Sequence, residues 1–196
     1  FGSAGEFGEH ANNGAKRDLQ LFKGVGPNNC TDFTNMFFSA QNFNDDLSDW
    51  DVTGDMKDGG VVMTSMFSNA NAFGGVSSGR ATGAVTGVGS WDVKNVVDMS
   101  KMFRLAQQFD DHPTNWDVAR VTDMSEMFYA ASLSGFATSI GPDAGNIAKR
   151  RLFADNKTTA PWAVTDMHRM FWGDIRFDRD VHHWDVSKVT DMTSMF

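Results

Sequence analysis

Cysteine, basic charge and long apolar runs are scarce in this sequence of 196 residues, and each scarcity excludes a class of protein. The single cysteine, Cys30, excludes an internal disulfide framework and a cysteine-rich metal site, and it does not reveal the compartment. The 17 basic residues face 25 acidic ones, for a net charge of -8 spread along the chain, so nucleic acid is not an expected partner. No run approaches the roughly 18 apolar residues of a membrane-spanning helix, so no membrane span is expected.

Apolar and aromatic residues, by contrast, are plentiful. They make up 41% and 12% of the chain, which is enough to fill the core of one folded domain of this length. The chain starts at Phe1 without a methionine and stops at Phe196 in the middle of a motif. We therefore expect that its ends were processed or that it is a piece of a longer chain.

The most informative feature is an internal repeat marked by a Met-Phe dipeptide. It occurs in the strings TDFTNMF, VVMTSMF, VDMSKMF, TDMSEMF, TDMHRMF and TDMTSMF, which end at Phe37, Phe67, Phe103, Phe128, Phe171 and Phe196. The gaps between these phenylalanines are 30, 36, 25, 43 and 25 residues, which fits a period of 25 with insertions. We interpret the chain as five full units and one truncated unit.

Within a unit, the pattern predicts a short strand followed by a short helix. Trp91–Val93 alternates and is rich in β-forming residues, which indicates a strand. Apolar residues then recur with the spacing of one helix face, at Met99, Met102, Phe103, Ala106 and Phe109. One unit cannot bury this stripe alone, whereas stacked units share a core. The predicted fold is an α/β leucine-rich-repeat-like solenoid of ~25-residue strand-turn-short-helix units with insertions.

An aspartate precedes the predicted helix in five units, at Asp32, Asp98, Asp123, Asp166 and Asp191. This is the position of an N-cap, whose carboxylate accepts hydrogen bonds from free backbone N–H groups. Asp123 and Glu126 have the spacing of a capping box. The alternative is a stacked carboxylate ladder that binds calcium. Val62 interrupts that ladder in the second unit, and glycine-rich calcium turns are missing.

Three features that could carry chemistry have simpler interpretations. Cys30 fills a slot held by valine elsewhere and is interpreted as a buried apolar filler. Five M-x-x-M pairs could bind Cu(I), but each is followed by Phe on the same stripe, which favours a core role. His182 and His183 lie in a polar turn, and a zinc site would need more ligands nearby. We assign no catalytic, cofactor-binding or metal-ligating residue and do not expect an enzyme.

The strings WDVKNVVDMSKMF, WDVARVTDMSEMF and WDVSKVTDMTSMF resemble the bacterial surface protein (BspA-like) repeat family, as found in Mycoplasma-type surface lipoproteins and many algal proteins. The resemblance covers roughly residues 28–196. It implies a leucine-rich-repeat-like solenoid, exposure on or outside a cell, and a role in adhesion or protein binding, and it brings no catalytic residues. The pattern is broken at Gly60–Val62, in the insertion from about Ser134 to Pro161, and at Asp174, which replaces an alanine.

The residues that do not repeat are where binding is expected. Insertions interrupt the solenoid, which spans 28–196, near 55–59, 74–90 and 135–161. The longest contains a basic triplet that is a candidate protein-docking patch or, alternatively, a solvated charge run: Lys149, Arg150 and Arg151. Residues 1–27 form a Gly/Asn-rich N-terminal flank, which is expected to cap the solenoid or to be disordered without a partner.

These observations favour a non-catalytic protein-binding or adhesion repeat module of a cell-surface or secreted protein. We expect an extracellular or cell-surface location, other proteins as partners, and no cofactor. The alternative is a structural or linker subunit built into a large multi-protein assembly, for example an algal complex in an organelle lumen. A signal peptide with an anchoring segment upstream of Phe1 would favour the first, and an organelle transit peptide the second.

Overall fold

The computed structural model describes residues 30–54, 59–74, 87–109, 113–131, 152–154, 161–174, 177 and 180–196. The N-terminal flank 1–27 lies outside the described residues, as does most of the longest insertion. Regular elements in the described part are short: strand β1, Val61–Val62; a 3-10 helix, Val88–Ser90; and strand β2, Val96–Asp98. Within these ranges, no helix has both the length and the apolar character needed to cross a membrane.

Six chain segments, one from each repeat unit, lie side by side in parallel. We call each segment a rung and number the rungs 1 to 6; they begin at Asp32, Val62, Asp98, Asp123, Asp166 and Asp191. The first residue of each rung forms a parallel bridge with the first residue of the next. Along this ladder, the N–H of Met63 donates to the carbonyl of Asp98 at 2.9 Å, and that of Met99 to the carbonyl of Asp123 at 3.0 Å. Rungs that follow one another in sequence are therefore hydrogen-bonded neighbours.

Each rung continues as a series of turns, where the apolar spacing predicts a short helix. In rung 3, the N–H of Met102 donates to the carbonyl of Met99, three residues back, at 3.2 Å. The N–H of Lys101 instead donates to the carbonyl of Ser125 in rung 4, at 2.9 Å. Because the neighbouring rung takes alternate N–H groups, the continuous i to i-4 bonding of an α-helix does not form. The strand predicted at Trp91–Val93 does not form there; the strand of this unit is β2, which begins three residues after Val93.

Two positions in each of rungs 1 to 5, four residues apart, and one position in rung 6 have a left-handed backbone. In rung 3 they are Lys101, with φ of 57°, and Leu105, with φ of 59°. The equivalent residues elsewhere are Asn35, Ser39, Ser65, Asn69, Glu126, Ala130, Arg169, Gly173 and, in rung 6, Ser194. This conformation costs about 1–2 kcal/mol for a residue other than glycine. The hydrogen bonds of the ladder must therefore hold these residues in place.

Stacked aromatic rings fill the core between the rungs. The six Met-Phe phenylalanines form one column, in which consecutive ring centroids are 5.3, 5.7, 5.6, 5.8 and 5.7 Å apart. A second ring from the same unit packs beside the column, as Phe109 does 3.9 Å from Phe103. Both methionines of the M-x-x-M pairs are fully buried in rungs 2 to 5, in agreement with their interpretation as core residues.

Tryptophans form a second line of contacts between units. The indole N–H of Trp91 donates to the carbonyl of Leu47 in the preceding unit at 2.9 Å, and Trp116 and Trp184 make similar bonds. In the fifth unit Phe153 takes the position of the tryptophan, since its ring stacks between those of Trp116 and Trp184, at 6.4 and 5.6 Å. Phe153, which lies in the long insertion, thus supplies the aromatic ring that tryptophan supplies in neighbouring units.

Cys30 departs in part from the sequence interpretation. It packs against the core, as expected for an apolar filler, but it is only half-buried. Its thiol donates to the carbonyl of Asp32 at 3.3 Å. Val96 and Val121, which occupy the same slot in rungs 3 and 4, are fully buried because a rung lies on each side of them.

Candidate functional site

The docking residues predicted from sequence, Lys149, Arg150 and Arg151, lie outside the described residues. The described structure points instead to a surface of rungs 3 to 5, which we call the turn face. It is formed by side chains that the turns direct away from the core: Lys101, Arg104, Glu126, Tyr129, His168, Arg169 and Trp172. The equivalent residues of rung 2 are the small Thr64, Ser65 and Ser68. Large charged and aromatic groups therefore distinguish rungs 3 to 5 from their neighbour.

An aromatic and cationic stack runs across the turn face, with one residue from each of three rungs. Each member follows the Met-Phe dipeptide of its rung, so the ladder aligns them in one column. The Cζ atom of Arg104 lies 4.7 Å from the centroid of the Tyr129 ring. The rings of Tyr129 and Trp172 stack at 4.8 Å with an angle of 19° between their planes. Trp172 is 44% exposed.

Glu126 connects this stack to the next rung. Its Oε2 accepts from Nε of Arg104 at 2.9 Å, and its Oε1 lies 3.7 Å from Nε2 of His168. The capping box predicted from Asp123 and Glu126 is replaced by these contacts between rungs. Glu126 holds the guanidinium group of Arg104 against the tyrosine ring and so restricts the freedom of the stack.

His168 lies among carboxylates of three rungs. Its Nδ1 is 2.8 Å from Oδ1 of Asp166 in its own rung. The pKa of His168 is raised above its ordinary value, first by this hydrogen bond and then by the charges of Asp166, Glu126 and Asp191, which outweigh partial burial. Other rungs have serine or threonine at this position. The imidazole is therefore specific to rung 5, and its protonated form is favoured by the surrounding acids.

The aspartates that begin the rungs accept backbone hydrogen bonds, as predicted, but they close turns and not helices. In each case Oδ1 accepts from the N–H two residues ahead, for example from Ser100 to Asp98 at 2.7 Å and from Ser125 to Asp123 at 2.8 Å. These are Asx turns. The sequence reasoning missed that the aspartate after tryptophan does the same, as Thr53 donates to Asp51 and Lys94 to Asp92. Asp-x-Ser/Thr was a partial signal, since it is present at Asp51 and absent at Asp92.

Two groups of side chains in the described residues bring together donor atoms that could bind a metal ion. In each group the atoms lie within 4.8 Å of one another: Asp166, His168 and Asp191 in one, and Asp180, His182 and His183 in the other. From the sequence, His182 and His183 were recognised as a histidine pair that would need further ligands nearby to form a zinc site. The residue that the sequence reasoning missed is Asp180, two residues before His182. The Oδ1 atom of Asp180 contacts Nδ1 of His182.

Comparison with known proteins gives one family. Residues 19–86, 63–141 and 148–196 each match the model of a family described as Mycoplasma protein of unknown function, DUF285. Together these overlapping segments cover most of the chain, and each contains more than one Met-Phe unit. No match was found among curated proteins or among solved structures.

Proposed function

The chain belongs to the family described as Mycoplasma protein of unknown function, DUF285, and on this premise we propose that it is a non-catalytic protein-binding or adhesion module. The proposal places the module in a cell-surface or secreted protein. The family match agrees with the Mycoplasma part of the resemblance noted in the repeat strings. The BspA-like assignment of the repeat is part of the proposal.

A leucine-rich-repeat-like solenoid is the architecture that we propose for the module. Parallel bridges between consecutive rungs and the column of phenylalanine rings support it. In such a stack each unit contacts its neighbours, and side chains on the outer surface can vary without disturbing the core. The turn face has this character, because its residues differ between rungs whereas the buried methionines and phenylalanines repeat.

The observation that carries the proposal is the stack of Arg104, Tyr129 and Trp172. Arginine, tyrosine and tryptophan are the residue types most enriched in the energetic centres of protein interfaces. Here they are held in place before any partner binds, by ring stacking and by the contact between Arg104 and Glu126. A preformed surface loses less conformational entropy on binding than mobile side chains do. The exposed part of the Trp172 indole offers a partner an apolar contact near charged side chains.

The proposal predicts saturable binding of the purified, fluorescently labelled chain to intact epithelial cells in culture. Trypsin treatment of the cells before the assay should abolish the binding if the partner is a protein. Trp172→Ser, which installs the residue of rung 2, should weaken binding by at least about tenfold, the loss expected for one interface hot spot. Flow cytometry over a range of chain concentrations measures both effects.

Val186→Ser is the matched control, since Val186 is 42% exposed, precedes rung 6 and lies outside the turn face. Its binding should equal that of the unaltered chain. Equal melting temperatures for the three proteins exclude misfolding as the cause of a loss. Absence of saturable binding, or full binding by Trp172→Ser, would overturn the assignment of the turn face.

A structural or linker subunit is the second candidate, and rung 1 favours it. Met36 and Phe38 in this rung are 42% and 49% exposed. Apolar groups of this size would be covered in a permanent assembly. If this function is correct, the chain purified from its own cells under mild conditions has fixed stoichiometric partners, and the isolated chain does not bind to cells.

A further inference from the structure

The turn before Trp184 differs in chemistry from its counterparts in the other units. Its backbone geometry is shared: the N–H of His182 donates to Oδ1 of Asp180 at 3.1 Å, just as Ser48 donates to Asp46 at 2.9 Å. The side chains are not shared. Where this turn has His182 and His183, the first unit has Ser48 and Asp49, and the unit before Trp116 has Thr114 and Asn115. The two imidazoles are thus an addition to a turn that forms without them.

We propose that Asp180, His182 and His183 form a binding site for a divalent transition-metal ion of the zinc class. The three donor atoms lie within 4.8 Å of one another. A tetrahedral zinc ion with bonds of about 2.0–2.1 Å needs its donor atoms roughly 3.4 Å apart, so small rotations of the side chains suffice. The Asx turn holds Asp180 against His182 before the ion arrives.

The donor set selects the kind of ion. Two imidazole nitrogens and one carboxylate oxygen favour zinc, nickel or copper(II) over calcium and magnesium, which prefer oxygen ligands only. Three protein ligands leave at least one coordination position for water or for a group from a partner. His182 is 60% exposed through its side chain, so an ion can reach it from solvent, whereas His183 is half-buried and fixes the inner side of the site.

The second group, Asp166, His168 and Asp191, is a weaker candidate for the same ion. It offers a single imidazole, whereas the group around His182 offers two. The Oδ1 atoms of both aspartates also accept the N–H groups of Asx turns, from His168 and Thr193, each at 2.8 Å. An ion there would compete with two Asx turns, in rungs 5 and 6, whereas the ion at Asp180 would compete with one. The two groups are far enough apart in sequence to be tested by separate variants.

The test is isothermal titration of the full chain with zinc chloride in a buffer that does not chelate metals. The double variant His182→Ser/His183→Asn carries residues that other units have at these positions, so the turn is expected to form. We expect one site in the unaltered chain and a loss of affinity of at least about tenfold in the double variant. His168→Thr, which installs the residue that rung 6 has at this position, is the control and should bind zinc as the unaltered chain does.

Each other result overturns the proposal. Equal zinc affinity in the double variant shows that these histidines are not ligands. Loss of zinc binding in His168→Thr, with binding retained in the double variant, shows that the ion binds at Asp166, His168 and Asp191 instead. No binding up to about 1 mM zinc, the weak end of specific association, shows that the turn does not hold the ion. Melting curves of all three proteins without metal provide the check on folding, and zinc binding is measured without a protein partner, so it does not depend on the proposed function.

Discussion

At the scale of single residues, His168 shows how one departure from the repeat changes the physics of a rung. Serine or threonine occupies this position in the other rungs and carries no charge. The imidazole of His168 lies instead beside Asp166 and within 3.7 Å of Glu126. Protonation of the ring then offsets the negative charge that the ladder concentrates there.

This arrangement predicts a stability that depends on pH. Because the pKa of His168 is raised in the folded state, its contribution is fully present below its ordinary value of 6.5 and is lost as pH rises through the folded-state pKa. His168→Thr should therefore melt at a lower temperature than the unaltered chain at about pH 5.5, with the gap narrowing as pH rises above the ordinary value. Thermal melts monitored by circular dichroism across this range measure the gap. A gap that is the same at every pH would contradict the charge mechanism.

At the scale of the rung, the residues with positive φ strain the backbone, and the amount of strain depends on which residue occupies each position. Ala130 adopts φ of 46°, and the equivalent position in rung 5 is Gly173, with φ of 79°. Glycine adopts this conformation without the steric cost that alanine incurs, although it loses more entropy on folding. The net balance favours glycine where φ is positive.

Ala130→Gly is therefore predicted to raise the free energy of unfolding by about 0.5–1 kcal/mol. Ala119→Gly is the matched control, because Ala119 is half-buried like Ala130 and is not among the residues with positive φ. It should lower the free energy of unfolding by about 0.5–1 kcal/mol. Denaturant titrations give both values. A destabilised Ala130→Gly chain would show that the lost methyl contact matters more than the backbone strain.

The rung also shows which parts of the structure can be read from sequence. The stacking of units and the burial of the M-x-x-M pairs follow from the repeat, because stacked neighbours are the simplest way to cover a repeated apolar stripe. The turns do not follow, since spacings of three and four residues suit both a helix and successive turns. The left-handed positions carry Asn, Ser, Lys, Leu, Glu, Ala, Arg and Gly. Only some of these signal positive φ.

The candidate site could have been found in part. Aligning the units and reading the residue after each Met-Phe gives Phe38, Ser68, Arg104, Tyr129 and Trp172 as one column. Sequence alone could not show that these side chains touch, because that depends on the parallel register of the ladder. Likewise Phe153, which replaces tryptophan in the core of the fifth unit, has no motif around it that marks the role.

At the scale of the whole molecule, the ladder and the phenylalanine column link all six rungs in series. A linear stack is stabilised mainly by contacts between neighbours, so a defect in its middle separates two halves. Phe128 lies between Phe103 and Phe171, with ring centroids at 5.6 and 5.8 Å, and is fully buried. Phe196 belongs to the same column but is 66% exposed.

Phe128→Ala should therefore lower the free energy of unfolding by about 3–5 kcal/mol, the cost of a buried phenylalanine and its cavity. Phe196→Ala, the matched control, should cost about 1 kcal/mol or less because little apolar surface is lost from the core. The two variants should also differ in the number of unfolding transitions, because Phe128 is in the middle of the column and Phe196 is at its end. Unfolding of Phe128→Ala in denaturant, followed by tryptophan fluorescence, should separate into two transitions, because rungs 1 to 3 and rungs 4 to 6 lose their coupling. Equal destabilisation by the two variants would show that the rungs do not share one continuous core.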